Sequence, residues 1–508
     1  MRSSLTRLRD SSLFILRSSF FGLAVVGLVA AAIRLAFLYR APVFLTGDSQ
    51  SHFLPGFDLA RGLGFDPELR RTPGYPLFVA AMITVLGEEL RSVAFAQHVL
   101  GTLTALLTYC LGRLTLGPLV GLASGVLVAV DGALILSEHT IMTEGLFGTL
   151  LLGSLAAVAW GRSRPGSAWL WYLLGGILLG LATLTRPVAQ ILVLVIPFGL
   201  LVVERRWQPA LRASLVVWLG FTLPVGPWML RNLTEHGSLT ASGGLGRSLV
   251  ARTVKYDTGY LEADIQPAGP DDLKGQVRQF IRGKRNTIRN SRSVRSTQAG
   301  MMKELGLTQA QSDSLMRQVA IEAIAERPLY YLSGTLRMAT QILAGKEKED
   351  SLATRWSQRT DKDWVEQWEA RIDHLVAPAS PAEQREFGRA EGLVNIYQPV
   401  TFGPILPALA LLGLGAAAAL AAHRSAVLAG LTAVALVLTS AALDGPVPRY
   451  RYPVDPLIAL LATGGVVVVA GQVAALMRRR AEVGRAGSSA ARAPRLARRR
   501  GTSPRPTT

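Results

Sequence analysis

The chain has 508 residues, 49% of them hydrophobic, with a mean hydropathy of +0.30. A soluble enzyme of this length is seldom so apolar, and the apolar residues fall in long blocks rather than in stripes of period 3.6. The formal net charge is +19, gathered largely beside those blocks and in the C-terminal tail, which favours topology determinants of a membrane protein over a nucleic-acid binder.

The N-terminal MRSSLTRLRD is basic, and the apolar block after it runs on to Tyr39 with Arg34 near its outer end. That block is longer than the h-region of a cleavable signal and reads as a retained first span. The predicted spans are 16–39, 92–112, 116–136, 141–160, 168–185, 187–203, 209–230, 401–422, 425–443 and 454–477. The piece 74–87 is apolar but short, and reads as re-entrant or interfacial. The single cysteine, Cys110, lies inside an apolar block and permits no intrachain disulfide.

With the N-terminus in the cytoplasm, the inner connections carry Arg113, Arg162 and Arg164, Arg205 and Arg206, His423 and Arg424, and the tail from Arg478 onward. All are basic, and ten spans return the basic tail to the cytoplasm, as the positive-inside rule requires. The expectation is an all-α polytopic membrane protein in the cell membrane with about ten spans and both termini cytoplasmic. Residues 1–230 form an N-terminal membrane module with an outer first loop, 40–73. Residues 231–400 form an extracytoplasmic or interfacial segment, 401–477 the C-terminal spans, and 478–508 a disordered basic tail. Within 231–400, Gln311–Ala325 has helical spacing interrupted at Pro328, and the following LYYLSGTLRMATQILAG is amphipathic and placed on the membrane surface. The Arg- and Lys-rich stretch Lys274–Arg295 reads as mobile.

The outer connections carry the polar residues suited to chemistry. Asp48 follows a glycine just after the first span, with His52 one helical turn on. Arg70 and Arg71 precede Thr72-Pro73-Gly74-Tyr75-Pro76. Asp48 serves either as a helix cap in an ordinary polar loop or as a reactive acid. Glu144 begins a span near the headgroups, where a carboxylate is costly, and is a helix cap or a site residue. Asp131, near the same surface, is an interfacial residue or a further carboxylate of the same cavity. Arg186, Arg231, Arg449 and Arg451 put positive charge on the outer face, against the topology rule, as headgroup anchors or as phosphate contacts. Together these residues describe an outer cavity with carboxylates and arginines, into which a lipid-linked sugar phosphate fits. Arginines would hold the leaving phosphate and a carboxylate would take the acceptor's proton.

The pieces GDSQSH, RRTPGYPLFVAAMITVLG, HTIMTEGLF, GLATLTRPVAQ, GPWMLRNLTEHGSLTASGGLG and RYRYPVDPLIALLA, in this order, resemble the GT-C glycosyltransferases of the protein O-mannosyltransferase and aminoarabinose-transferase type. The resemblance covers residues 15–260 and 400–475. It implies a GT-C-like helical bundle that transfers a hexosyl or pentosyl group from a polyprenyl-phosphate donor to a glycan, lipid or protein acceptor on the extracytoplasmic face. Carried onto this chain, it implies Asp48 as catalytic base, Arg71 as a donor phosphate contact and Glu144 as a substrate or structural partner. Arg186, Arg231, Arg449 and Arg451 follow as phosphate or headgroup contacts, with His52, Arg70 and Tyr75 beside them. The first loop has no DxD, so no catalytic metal or other cofactor is expected. The competing readings are a lipid-linked glycan ligase or polymerase, and a polytopic transporter or flippase. A transporter would show paired repeats and mid-bilayer charge, and no repeat is apparent.

Overall fold

A computed structural model describes residues 19–46, 48–65, 67, 69, 71–256, 269, 271–288, 291–344, 375, 382, 385–386, 405–419 and 425–497. The expected all-helical, multi-pass architecture is what these residues form. The N-terminal part comprises α1 (Ser19–Arg40), α2 (Ser49–Ala60), α3 (Gly74–Leu86), α4 (Leu90–Thr115), α5 (Pro118–Ala129), α6 (Gly132–His139), α7 (Glu144–Ser163), α8 (Ala168–Thr185), α9 (Leu192–Glu204) and α10 (Trp207–His236). The rest comprises α11 (Leu245–Val250), α12 (Leu273–Gly283), α13 (Ser291–Leu305), α14 (Gln309–Glu326), α15 (Pro328–Ala344), α16 (Ile405–Ala419), α17 (Ser425–Leu443) and α18 (Asp455–Ala497).

Among the described residues, eight helices are long and apolar enough to cross a membrane, and the pair α5 and α6, bent by 50°, makes a ninth if counted as one span. Only Ile405–Ala419 of the expected span 401–422 is described. The bend revises the straight span expected at 116–136. Asp131 causes it: its carboxylate accepts from the N–H groups of Ala133 and Leu134, so it ends one helix by capping the next. Lipid gives no hydrophobic drive to helix pairing, so the bundle closes through small residues. A Cβ on Gly176 would lie 2.1 Å from the Val217 carbonyl oxygen, so glycine there lets α8 and α10 touch backbone to backbone.

α10 runs past the expected end of its span, through Pro224 and Pro227, to a left-handed Gly237. Arg231 therefore lies in the last turns of a helix rather than in a connecting turn. In the polar segment, α12 and α13 cover much of Lys274–Arg295, the Arg- and Lys-rich stretch. Asp272 caps α12, and Glu322 on α14 binds both Lys274 and Arg278. α14 starts at a capping box, Thr308 with Gln311. α15 buries one face and exposes another. Thr335, Met338 and Ile342 are buried, with Met338 and Ile342 in one apolar core with α17, and Leu329, Leu332 and Leu336 are exposed. α18 continues to Ala497, into the tail expected to be disordered. Its Ala- and Arg-rich composition is compatible with helix.

Candidate active site

Five stretches of chain meet at one end of the bundle: the loop between α1 and α2, the approach to α3, the start of α7, the turn after α8, and the turn between α17 and α18. The first and third are joined by a two-residue parallel bridge, Phe44 with Thr140. Phe44 N–H donates to the His139 carbonyl at 3.2 Å, and Ile141 N–H donates to the Phe44 carbonyl at 3.0 Å. Asp48 lies four residues beyond one bridge residue and Glu144 four beyond the other. The approach to α3 is docked on the end of α8. The Thr72 hydroxyl donates to the Thr185 carbonyl at 3.2 Å, and a Cβ on Gly74 would sit 2.6 Å from the Leu184 carbonyl oxygen. Glycine at 74 is therefore what brings Arg71 beside the Arg186 turn.

Asp48 stands at the N-cap position of α2, yet its side chain makes no capping bond. Its carboxylate is spent on arginines instead, with Oδ2 2.7 Å from Arg449 Nη2 and Oδ1 3.4 Å from Arg71 Nη2. Arg71 also reaches the Ser51 hydroxyl, and its Nη1 lies 2.8 Å from His52 Nε2. The His52 ring packs edge to face on Tyr75, with centroids 5.9 Å apart. Glu144 is the first residue of α7 and 3% exposed, and its Oε1 lies 2.6 Å from Arg186 Nη1 and 4.0 Å from Arg449 Nε. Arg186 in turn lies over the Tyr450 ring at 5.4 Å, and the Tyr450 hydroxyl binds Asp444.

The electrostatics follow from this packing. Burial acts to raise the Asp48 carboxyl, but Arg449 and then Arg71 outweigh it and hold the group well below the usual carboxylate range. Burial likewise works against the charge on Arg449, and Asp48, Tyr450 and Glu144 together keep it firmly protonated. The Tyr450 hydroxyl is pushed well above its ordinary value by burial and by Asp444. Two small cavities adjoin the cluster and share Ser137, Glu144 and Tyr452 in their walls. Arg449 lines the first and Glu138 the second.

The structure thus brings together Asp48, His52, Arg71, Tyr75, Glu144, Arg186 and Arg449. Arg451 turns away: its Nε is 2.6 Å from Asp455 Oδ1, and its Nη1 donates to the Leu343 carbonyl at 2.7 Å. Arg231 engages its own helix, with Nη1 3.1 Å from His236 Nε2 and the guanidinium 5.0 Å from the Trp228 ring centroid. Arg70 lies outside the described residues. Among the described residues no group of three or more His, Cys, Asp or Glu is placed to hold a metal ion.

Sequence reasoning passed over a second polar set beneath the cluster, made of Arg34, Gln97, His98, Glu138 and His139. Arg34 binds Glu138 through two nitrogens, at 2.7 and 2.8 Å. The signal available was a charged or imidazole side chain within each of three apolar blocks, since such residues in a bilayer nearly always pair with one another.

Residues 70–228 match the sequence model of a family described as dolichyl-phosphate-mannose-protein mannosyltransferase, in agreement with the glycosyltransferase resemblance of the motifs. A comparison with curated proteins found no match. Among solved structures, the chain is similar to the archaeal oligosaccharyltransferase AglB from Archaeoglobus fulgidus in complex with an inhibitory peptide and a dolichol-phosphate. That similarity has 11% identity and a TM-score of 0.48, over 92% of this chain and 52% of that one. It is also similar to ArnT from Cupriavidus metallidurans bound to undecaprenyl phosphate, with 12% identity and a TM-score of 0.38, over 88% of this chain and 78% of that one. The chain spans about half the length of AglB.

Proposed function

We propose that this chain is a membrane glycosyltransferase that moves a hexose or pentose from a polyprenyl-phosphate donor to an acceptor on the extracytoplasmic face. The observation that carries the proposal is the meeting of Asp48 and Glu144 with Arg71, Arg186 and Arg449 at one end of the bundle, from stretches up to 401 residues apart. The family match over residues 70–228 includes Arg71, Glu144 and Arg186 and supports the same reading. Orientation rests on Arg113, Arg162, Arg164, Arg205 and Arg206, which lie in or beside the turns at the opposite end of the bundle and belong in the cytoplasm. Residues 1–230 and 401–477 are then the membrane modules, and 231–400 is the extracytoplasmic or interfacial segment.

In this reading Arg71 and Arg449 grip the donor phosphate, which is the leaving group. The acceptor oxygen or nitrogen bonds to the anomeric carbon as the bond from that carbon to the phosphate oxygen breaks. The acceptor's proton passes to Asp48, and the electron pair leaves with the polyprenyl phosphate. A carboxylate paired with two guanidiniums is a weak base, so the order of events matters. An incoming phosphate competes with Asp48 for Arg71 and Arg449, and as it takes them Asp48 recovers basicity beside the sugar it is to serve. Glu144 and Arg186, more deeply buried, anchor the far wall. The acceptor is a glycan, a lipid or a protein. A ligase or polymerase would use the same donor chemistry with a longer acceptor.

The test is transfer in proteoliposomes holding the purified full chain, a radiolabelled polyprenyl-phosphate sugar and an extract of envelope acceptors. Label should move to an acceptor, and free polyprenyl phosphate should appear in equal amount. An intact donor after prolonged incubation with a functionally folded chain would end the proposal.

A further inference from the structure

The buried polar set beneath the site forms a closed hydrogen-bonded chain, and its proton count is informative. His139 Nε2 lies 3.1 Å from the Ala41 carbonyl oxygen and 3.0 Å from that of Pro42. Both are acceptors, so this nitrogen carries a proton. His139 Nδ1 lies 2.9 Å from His98 Nε2. If His139 is neutral, its Nδ1 is an acceptor and His98 Nε2 must donate. His98 Nδ1 then faces Glu138 Oε2 at 3.3 Å. A neutral His98 would present a lone pair there to a carboxylate, which is repulsive. Moving the donor to His98 Nδ1 only passes the conflict back to the carbonyls at 41 and 42. Two neutral rings and an ionised Glu138 cannot satisfy all three contacts, and one added proton can.

The charged neighbours bear on where that proton sits. On the far side of the Glu138 carboxylate lies Arg34 of α1, whose Nε and Nη2 donate to it at 2.7 and 2.8 Å. Glu144 on α7 shares a void wall with Glu138. Because Arg34 and Glu138 already form an ion pair, the added proton gives the set one net positive charge, with the Glu138 carboxylate facing both Arg34 and His98.

The same chain grips the bridge from which both site acids extend. Gln97 Nε2 donates to the carbonyls of Glu138 and Thr140 at 2.6 and 2.9 Å, and its Oε1 accepts from the Tyr75 hydroxyl at 2.7 Å. His139 holds the Ala41 and Pro42 carbonyls just before Phe44. Gly101 leaves room for Glu138, since a Cβ there would fall 2.1 Å from its carboxylate.

We propose that Glu138, His98 and His139 share one proton beyond the two neutral rings and the carboxylate, and that this bound proton locks the loop pair carrying Asp48 and Glu144 at the spacing transfer needs. They are positioning residues. The consequence for transfer rests on the glycosyltransferase reading, but the proton itself does not.

The test uses the full chain in lipid nanodiscs at neutral pH. Histidine-selective nitrogen NMR and isotope-edited infrared spectroscopy should find either one imidazolium among His98 and His139 or a protonated Glu138 carboxyl. That signature should vanish in Glu138→Gln. Two neutral rings with an ionised Glu138 in the parent chain would overturn the shared proton, whatever the chain catalyses. In the transfer assay, Glu138→Gln should lower kcat by about 10²-fold with little change in KM for the lipid donor, as a small misplacement of reacting groups does. His139→Gln, which keeps one donor and one acceptor, should retain most of kcat, whereas His139→Phe should not. Equal kcat in these two variants, or an unchanged kcat in Glu138→Gln, would overturn the positioning role.

Discussion

Arg449 reaches both acids of the site, so Arg449→Ala separates a structural role from a chemical one. Two unit charges about 4 Å apart attract by about 4 kcal/mol at an effective dielectric near 20. Asp48 keeps 40% of its side chain exposed, so solvent screening cuts that attraction to about 1 kcal/mol. Glu144 retains Arg186 at 2.6 Å and loses only a contact at 4.0 Å. The folding cost of Arg449→Ala is then about 1–2 kcal/mol. Removing a donor aimed at the charge that develops on a leaving phosphate costs about 10²–10³-fold in kcat. The kinetic effect should therefore far exceed the thermal one. Arg449→Lys, which keeps the charge and loses the planar fork, should fall between. Single-turnover transfer and thermal unfolding of the same preparations give both quantities. If kcat in Arg449→Ala stays within about tenfold of the parent while the unfolding midpoint drops sharply, the residue is a structural tie and the phosphate assignment is wrong.

Asp48→Asn should lower kcat by about 10²–10⁴-fold, the range for loss of a general base, while the purified protein keeps its elution volume and loses only about 1 kcal/mol of stability. Because the arginines hold the Asp48 carboxyl below the usual range, its share of stability is present in full above about pH 4 and is lost only as pH falls through the lower folded value. The kcat/KM profile should accordingly lack a carboxylate limb between about pH 4 and 6, and Arg449→Ala should bring one in. Arg71→Ala should raise KM for the lipid donor by about tenfold or more with a small change in midpoint, and an unaltered donor dependence would remove it from the phosphate site. Glu144→Ala leaves the largely buried Arg186 without its main partner and should cost about 3–5 kcal/mol, so its midpoint should fall well below that of Asp48→Asn.

The membrane architecture was legible because lipid demands long apolar blocks and imposes charge asymmetry at their ends. Those are local properties that survive without knowledge of packing. The meeting of Asp48, Glu144 and the arginines was legible only as residues of the right kind at the right ends of spans. Their pairing depended on tertiary contacts such as Gly74 against Leu184. Arg451 shows the limit: two arginines two residues apart in one turn face different ways, because Asp455 and the Leu343 carbonyl capture one of them. Asp131 shows another, since a capping aspartate and a reactive one look alike until the amides they bind are known. Arg34, His98, Glu138 and His139 carry no local motif, and the Arg34–Glu138 pair closes a separation of 104 residues.

The bridge between Phe44 and Thr140 behaves as the pivot of a calliper whose two jaws are four residues long. The ordinary freedom of surface loops to change length stops at those jaws. A chain with one residue added between Phe44 and Asp48 would keep its spans, its charge asymmetry and its helices, and still have an altered gap between its acids. Grafting this chemistry onto another helical scaffold would mean transplanting both arms and their crossing point as one piece.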